Sequence, residues 1–392
     1  QPQPVMQTAA VAAAKSPARR RRIGCFRFMM NKTTEEKFSD YIGDAVPAEE
    51  GDDDDFAIMP PSAASLPDCY RFELGFDEGE ERLDKILARK IPEVSRARIQ
   101  SWIEAGRVTV SGEPAKSVRQ KAAACDVLEV RPMPLPEESA FEPQDGIEFE
   151  TVYEDRDIIV INKPAGLVVH PAAGNWQGTL LNGLLFRYPE LRKLPRAGIV
   201  HRLDKLTSGL MVVARNEAAQ LNLVRQLQEH AVAREYWAIV AGIAPEAGFV
   251  DRAIGRDPRN PQKFVCRGGA GSRPAKTHCR LVDTAYIEGR AVSWVACRLE
   301  TGRTHQIRVH LSTVGLPLIG DPVYRTSASV FPKEAQAVNG FPRQALHASR
   351  LRLTHPATGA ASEWYAPAPE DMAGLMDELG FGPTDEPVHV FD

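Results

Sequence analysis

The residues best suited to chemistry lie in a short polar segment, in which the carboxylate Asp204 stands between the cations Arg202 and Lys205. An ionised aspartate in such a setting can attack an electrophilic carbon or accept a proton. The residues that follow, from Leu210 to Ala214, are apolar and predict a buried strand. An aspartate in a turn can also bond its own backbone, so this motif needs support from other segments.

A second polar motif runs from Thr301 to His310 and predicts a helix with His305 and Arg308 on one face. Gly315 is expected to end that helix. A guanidinium is always charged and can hold a carboxylate by two parallel hydrogen bonds. The plain alternative for Arg308 is an arginine on the surface of the helix.

The segment His201–Gly209, with the sequence HRLDKLTSG, resembles the HRLDxxTSG signature of the RluA-type pseudouridine synthases. The likeness extends by motif and order over roughly residues 80–369, and it is strongest to the RluD-type members, which act on large-subunit ribosomal RNA. It implies that Asp204 is the catalytic aspartate. It also implies that Arg308, in the similar segment TGRTHQIRVH, forms an ion pair with it, and that Tyr236 packs against the target base.

Tyr236 lies in a predicted strand, where an aromatic residue could equally belong to the core. Because side chains alternate along a strand, only one of Tyr236 and Trp237 can face the cleft. Residues 162–171 resemble the NKPAGLVVHP segment that lies along the family's cleft. They predict a turn at Pro164 and Gly166 between two apolar strands.

Residues 82–88 and 96–103 predict two short helices, the second capped by Ser95, and residues 107–110 predict a strand. This pattern resembles the alpha-L RNA-binding module, known from a small-subunit ribosomal protein. The resemblance implies a compact basic surface that contacts RNA. A small packing unit with ordinary surface arginines would have a similar pattern. The arginines expected to contact RNA are Arg96, Arg98 and Arg107.

Further RNA contacts are expected around the cleft and from residues 249–280, a basic insertion that contains several glycines. We interpret this insertion as a flexible loop or hairpin that contacts RNA, although a solvated loop would have the same composition. The side chains expected to line the cleft or contact RNA are Arg202, Arg303, His305 and Gln306.

The chain has 392 residues, enough for two or three domains. We predict an α+β protein in which a small alpha-L RNA-binding domain precedes a pseudouridine synthase catalytic domain. The long mixed, mostly antiparallel sheet with flanking helices is what the family resemblance implies. The expected segments are a disordered N-terminal tail at 1–75, the RNA-binding domain at 80–133, a linker at 134–146, the catalytic domain at 147–369 and an acidic tail at 370–392.

Hydrophobic periodicity predicts helices at residues 179–188 and 218–229. In the second helix, Leu221, Val224 and Leu227 are expected to face the core. Strands are predicted at residues 147–153, 158–161 and 292–299.

The net charge of −4 is unevenly distributed along the chain. Residues 1–70 carry −3 and residues 370–392 carry −7, which leaves +6 for the remainder. A mildly basic body permits phosphate contacts. The first 34 residues contain no acid, which fits a transit peptide or, as we favour, an upstream extension before Met29 or Met30.

Several classes of site are disfavoured by the sequence. Six cysteines without a CxxC pair argue against a zinc site or a disulfide framework and fit a reducing compartment. No apolar run approaches the roughly 18 residues that cross a bilayer. The sequence has no P-loop, no GxGxxG after a strand and no metal-ligand cluster. We therefore expect a cytoplasmic monomer that uses no cofactor or metal and contacts no membrane.

The expected reaction is the isomerisation of specific uridines to pseudouridine in a stem-loop of large-subunit (23S) ribosomal RNA. The C1′–N1 bond breaks, the uracil turns and C5 joins C1′, so no group is lost and no redox change occurs. An alternative is a non-catalytic RNA-binding factor for ribosome assembly, and another is a synthase that acts on tRNA. A glycoside hydrolase would need a second positioned carboxylate, which no motif offers.

Overall fold

The computed structural model of the chain describes residues 66–78, 80–133, 139–172, 174–382 and 391. Most of the tail expected at 1–75 and part of the linker expected at 134–146 lie outside these residues. Within them, no helix combines the length and apolar character that crossing a membrane requires.

The N-terminal module packs two helices against a four-stranded antiparallel sheet. Its elements are β1 (Tyr70–Glu73), α1 (Leu83–Lys90), α2 (Arg96–Glu104), β2 (Val108–Val110), β3 (Glu113–Pro114) and β4 (Val127–Val130). Ser95 begins α2 by accepting a hydrogen bond from the backbone N–H of Arg98, as its position predicts. The strand order is β1-β4-β2-β3. Because β1 pairs with β4, the module begins at β1, within residues 1–75, which were expected to be a tail.

A fully buried carboxylate, Asp84, joins α1 to α2. It accepts hydrogen bonds from Arg82 at 3.0 Å, from Arg96 at 2.7 Å and from Gln100 at 2.6 Å. Burial raises the pKa of Asp84, but the hydrogen bonds from Gln100, Arg96 and Arg82 outweigh burial and lower it to about 2. The carboxylate therefore stays ionised and fixes the direction of two arginines whose outer parts remain exposed.

A nine-stranded sheet forms the framework of the larger domain. The strands of this domain are β5 (Glu150–Glu154), β6 (Ile158–Lys163), β7 (Ser208–Ala214), β8 (Ala233–Ala241), β9 (Ala247–Asp251), β10 (Ile254–Asp257), β11 (Asn260–Cys266), β12 (Ser272–Arg273), β13 (Lys276–Ile287), β14 (Arg290–Leu299), β15 (Leu346–Thr354) and β16 (Ala361–Tyr365). The order in the sheet is β5-β6-β7-β15-β8-β14-β13-β9, with β16 paired to β15. Among the described pairings of this sheet only β7–β15 is parallel, so the predicted mixed, mostly antiparallel sheet is confirmed.

Helices cover both faces of this sheet. They are α3 (Leu180–Arg187), α4 (Glu217–Gln228), α5 (Gln306–Thr313), α6 (Gln336–Asn339) and α7 (Glu370–Leu379), with short 3₁₀ turns at Pro189–Lys193, Pro195–Gly198 and Ser327–Ser329. α3 and α5 share one apolar core with Tyr236. α7 packs with Trp237 in a core on the opposite face, so the alternation predicted for these two aromatic residues is present.

The register of three neighbouring strands brings distant segments together. Ala348 of β15 lies opposite Gly209 of β7 on one side and opposite Tyr236 of β8 on the other. A Cβ atom on Gly209 would lie 2.2 Å from the carbonyl oxygen of Ala348, and φ is +115° there, so only glycine fits. The backbones of Gly209, which follows the Asp204 turn, and of Tyr236 are thus about two strand spacings, or about 10 Å, apart.

The basic insertion at 249–280 is more regular than a flexible loop. β10, β11 and β12 form a small separate antiparallel sheet, and β9 and β13 extend the edge of the large one. Phe264 of β11 packs edge-on against His305 at the start of α5, with 5.7 Å between ring centroids. The small sheet is therefore anchored to the helix that carries Arg308.

Two details differ from the sequence predictions. No strand follows the turn at Gly166 in the described residues 167–172 and 174–179, which run irregularly into α3. Leu221 is exposed, whereas the inward side of α4 is formed by Ala219, Leu223 and Gln226. The Gln226 amide can be buried because it donates to the carbonyl of Thr354 at 2.6 Å and accepts from the Thr354 N–H at 3.0 Å. Both backbone groups belong to the last residue of β15.

The segment expected as an acidic tail at 370–392 begins with α7. Met372 and Met376 of this helix are fully buried in the core beneath the sheet. The acidic residues of its first turn, Glu370 and Asp371, lie at the helix N-terminus, where negative charge is favourable. The helix belongs to the packed part of the larger domain.

Replacing Asp84 with Asn is expected to lower the free energy of unfolding of the N-terminal module by about 2–3 kcal/mol at neutral pH. The folded pKa lies below the ordinary value, so this stabilisation is complete above about pH 4 and is lost as the pH falls through about 2. Amide hydrogen exchange of α1 and α2, followed by mass spectrometry, measures the effect.

The matched control is Glu93→Gln, which changes an exposed carboxylate that accepts a hydrogen bond from the Tyr70 hydroxyl at 2.8 Å. It is expected to alter protection by less than about 0.5 kcal/mol. Equal protection of α1 and α2 in Asp84→Asn and wild type at pH 7 would contradict the structural role of this carboxylate.

Candidate active site around Asp204

The turn that carries Asp204 is fixed by its backbone. The Asp204 carbonyl accepts a hydrogen bond from the Thr207 N–H at 3.0 Å, which closes the turn. The next carbonyl, that of Lys205, accepts from the Gly166 N–H at 2.8 Å and from the Lys163 ammonium at 3.2 Å. The segment 162–171, to which the sequence assigned no chemistry, therefore supports the turn from one side.

Lys163 is fully buried behind this turn. Besides Lys205, its Nζ donates to the carbonyls of Pro164 at 2.8 Å and Leu167 at 3.0 Å. Three carbonyl acceptors match the three protons of the charged ammonium. Burial nevertheless lowers the pKa of Lys163 to about 7, against the attraction of Asp204, which raises it.

Arg343 supports the same turn from the other side. Its Nη1 donates to the carbonyl of Leu206 at 3.1 Å. Its Nε and Nη2 bind the two carboxylate oxygens of Asp371, on α7, at 2.6 and 2.8 Å. The three successive carbonyls of Asp204, Lys205 and Leu206 are thus each held by a donor from a different part of the chain.

Arg308, on α5, stands between two carboxylates. Its Nη1 donates to Oδ2 of Asp204 at 3.0 Å, which gives the ion pair that the family resemblance implies. Its Nε and Nη2 donate to the two oxygens of Asp321 at 2.8 and 3.1 Å. The two-point geometry expected for Asp204 therefore belongs to Asp321, and Asp204 receives a single hydrogen bond.

Asp321 is itself held by backbone donors, since its Oδ1 accepts from the N–H groups of Val323 at 2.8 Å and Tyr324 at 2.9 Å. Burial raises the pKa of Asp321, but its hydrogen bonds and charge pairing with Arg308 outweigh burial and lower it. In the sequence, Asp321 stands between Gly320 and Pro322, and it was not among the candidate site residues. No spacing rule links it to Arg308, so its role was missed.

Tyr236 lies on the Asp204 side of the sheet. Its side chain is buried in the core shared with Leu203 and Ile307, the neighbours of Asp204 and Arg308 in the chain. Burial raises the pKa of Tyr236 to about 12; the positive charge of Arg234 opposes this shift, and the negative charge of Asp204 adds to it. The hydroxyl is therefore protonated at neutral pH and can donate a hydrogen bond.

His201, at the start of the HRLD motif, supports the strand β7 that follows the Asp204 turn. Its Nε2 accepts the backbone N–H of Val212 at 3.1 Å. Burial lowers the pKa of His201 to about 3, so the ring is neutral.

The residues expected to contact RNA around the cleft differ in accessibility. Arg202 is exposed beside Asp204. Arg303 is partly buried, with its Nε donating to the carbonyl of Pro274 at 3.2 Å. His305 shares a hydrogen bond of 2.7 Å with the hydroxyl of Tyr324, whose ring lies under the Arg308 guanidinium.

Gln306, also expected to contact RNA, has a buried amide that is occupied by hydrogen bonds within the protein. Its Nε2 donates to the carbonyl of Lys276 and to Oγ1 of Thr277, both at 3.0 Å. Its Oε1 accepts from the Thr301 hydroxyl at 2.7 Å and from the Arg303 N–H at 3.0 Å. The side chain joins the start of α5 to β13.

In the N-terminal module, the three expected arginines are placed differently. Arg107 is exposed. Arg98 lies over the ring of Trp102, 5.3 Å from its centroid. Arg96 is held by Asp84, as is Arg82, which was not among the expected RNA contacts. A buried carboxylate that orients two half-exposed arginines creates a fixed cationic edge.

Three possible metal ligands, Asp155, Asp157 and His355, come together at the other end of the domain, although no such cluster was expected. Asp155 accepts backbone hydrogen bonds from Asp157 at 2.8 Å and Ile158 at 2.9 Å and shares a third, of 2.8 Å, with the His355 ring. These bonds close the turn between β5 and β6. They account for the cluster without an ion.

Comparison with known proteins matches two parts of the chain to described families. Residues 157–313 match the family model described as RNA pseudouridylate synthase, and residues 81–128 match the S4 domain. The second match covers the module that resembled the alpha-L RNA-binding domain. The first covers Asp204, Tyr236 and Arg308.

Curated relatives align over most of the chain. "Ribosomal large subunit pseudouridine synthase D" of Neisseria meningitidis serogroup A is 45% identical over 353 residues, which cover 89% of each chain. The protein of the same name from Pseudomonas aeruginosa is 47% identical over 314 residues, 78% of this chain and 94% of that one. The one from Escherichia coli K12 is 45% identical over 303 residues, 76% of this chain and 90% of that one.

An S4 domain followed by the catalytic sheet confirms the predicted fold class and the predicted resemblance. The identity extends far beyond the short motifs and covers at least 89% of the N. meningitidis and P. aeruginosa proteins. The chain belongs to the RNA pseudouridylate synthase family, whose members are isomerases.

Proposed function

We propose that the chain converts specific uridines of large-subunit ribosomal RNA to pseudouridine, with Asp204 as the catalytic carboxylate. The main support for this substrate is the alignment with relatives that are named for the ribosomal large subunit, at 45–47% identity. The N-terminal module supports a structured RNA substrate, because it presents arginines held in fixed directions.

The geometry of Asp204 suits the chemistry. One oxygen is held by Arg308, while within the described chain no hydrogen bond is made by Oδ1. The side chain is 18% exposed, so a ligand can reach it. An ionised, oriented carboxylate can act on the sugar or on the base while the C1′–N1 bond breaks.

Tyr236 is proposed as the surface on which the detached uracil rests. A flat ring beside the carboxylate can hold the base while it turns and presents C5 to C1′. Because its hydroxyl keeps its proton, we propose that Tyr236 packs against the base and donates a hydrogen bond. It does not act as the base that removes a proton. The isomerisation balances within the uridine itself, so the proposal requires no cofactor or metal.

RNA binding is assigned to several cationic side chains: Arg96, Arg98 and Arg107 in the N-terminal module, and Arg202, Arg303 and His305 at the cleft. A uridine in a stem-loop must leave the stack to reach Asp204, and contacts on both sides favour that state. We further propose that the protein works as a monomer in the cytoplasm. Its substrate would be ribosomal RNA or an assembly intermediate of the large subunit. The linker at residues 134–146 would separate the RNA-binding domain from the catalytic domain.

Replacing Asp204 with Asn is expected to abolish pseudouridine formation and leave RNA binding within about threefold of wild type, because the amide keeps the volume but lacks the anionic charge. Carbodiimide mapping of pseudouridine in ribosomal and transfer RNA measures the effect. The RNA comes from cells without the protein that are supplied with wild type or with the variant.

Asp283→Asn, a change of an exposed aspartate on β13, is the matched control and should restore every site. Sites restored by Asp204→Asn would remove that residue from the chemistry. If cells without the protein lose pseudouridine only from transfer RNA, transfer RNA is the substrate. If they lose none, a non-catalytic role in ribosome assembly is favoured.

Replacing Asp321 with Asn is expected to lower kcat by about 100-fold with little change in RNA affinity, because Arg308 loses its anionic anchor and Asp204 loses its fixed direction. Asn keeps an oxygen for the N–H groups of Val323 and Tyr324, so the turn survives. Release of tritium from C5 of labelled uridine gives kcat and KM. If kcat is unchanged, Asp321 does not position Arg308 for catalysis.

A further inference from the structure

The described part of the chain contains four buried arginines, and one of them lacks a carboxylate partner. Arg308 binds Asp204 and Asp321, and Arg343 binds Asp371. Arg350 binds Glu235 and Glu363. Arg234 is equally buried, with 8% exposure, but it forms no such pair.

The hydrogen bonding of Arg234 is sparse. Its Nη2 approaches the carbonyl of Glu300 at 3.5 Å, the limit of a hydrogen bond, and its buried Nε has no partner. The Glu300 carboxylate is occupied elsewhere, by Lys276 at 3.1 Å and His278 at 2.5 Å. A buried guanidinium in this state is unfavourable unless an anion completes it.

The position of Arg234 points to the anion. It precedes Tyr236 by two residues on β8, so both side chains lie on the same face of the sheet, about 7 Å apart along the strand. Arg303 is close enough to add to the positive potential and, with burial, to lower the pKa of Arg234. The positive charges of Arg234 and Arg303 together favour a ligand of negative charge.

A route to the guanidinium passes through Gly302. This glycine is exposed, and a Cβ atom there would lie 2.8 Å from Nη1 of Arg234. The missing side chain therefore leaves Nη1 directly beneath the surface. Guanidinium groups bind phosphate oxygens in two-point geometry, which suits a phosphodiester lying over Gly302.

We propose that Arg234, beneath Gly302 and beside Arg303, is a binding site for a backbone phosphate of the RNA strand next to the target uridine. The site holds the strand while the uracil packs on Tyr236. This inference rests on the proposed function, because it takes RNA as the ligand. It adds a phosphate contact that no sequence motif indicated.

The test compares Arg234→Met with Arg234→Lys. Binding of a large-subunit RNA fragment that contains the modified uridine is measured at several KCl concentrations, and Tm is measured without RNA. Arg234→Met should weaken binding about tenfold and reduce the slope of log Kd against log salt by about 0.7, the value for one single-strand phosphate contact. Its Tm should equal or exceed that of wild type, because an uncompensated buried charge is removed. Arg234→Lys should recover part of the slope.

Arg350→Met is the matched control, because that arginine is buried beside β8 with carboxylate partners. Its loss should lower Tm and leave the salt slope unchanged. If Arg234→Met behaves in this way, or leaves affinity and slope unchanged, Arg234 is a structural residue and the proposal fails.

If Arg234→Met does not fold, Gly302→Ala takes its place, since it keeps the charge and displaces the guanidinium. It should weaken binding several-fold, and unchanged binding overturns the site. Wild-type conversion of the same fragment is recorded in parallel. Absence of conversion by wild type counts against the proposed function, whereas normal conversion with an unaffected variant counts against the phosphate site alone.

Discussion

One guanidinium that serves two carboxylates is the interaction on which the candidate site depends. Asp321 takes the two-point geometry of Arg308 and fixes its plane, so the remaining Nη1 can face Asp204 in one direction only. Arg308 is nearly excluded from solvent, and burial with Asp204 alone would leave the pair dependent on a single hydrogen bond.

The sheet supplies the distances that this interaction needs. The parallel pairing of β7 with β15 places the Asp204 turn beside Ala348, and the antiparallel pairing of β15 with β8 places Tyr236 beyond it. α5 contributes Ile307 and Leu311 to the core on the same face, which sets the height of Arg308 above the strands. The site thus unites four segments that lie far apart in the sequence.

The sequence predicted the fold class and the candidate residues Asp204, Tyr236 and Arg308, because each residue lies in or near a short motif that resembles a motif of the family. It did not predict the partners that orient them. Asp321 and Arg343 act through bonds across more than ten residues, and Gln306 carries a polar side chain whose burial depends on β13. Periodicity also misplaced Leu221, because Gln226 satisfies its amide on a strand end and takes the inward position.

The three held carbonyls of the Asp204 turn have a consequence for the order of assembly during synthesis. Arg343 and its partner Asp371 are translated well over a hundred residues after Asp204. A nascent chain that has not yet released α7 from the ribosome therefore lacks the carboxylate that orients Arg343, the donor to the third carbonyl. The full set of contacts that holds the turn is completed only when α7 docks on the larger domain.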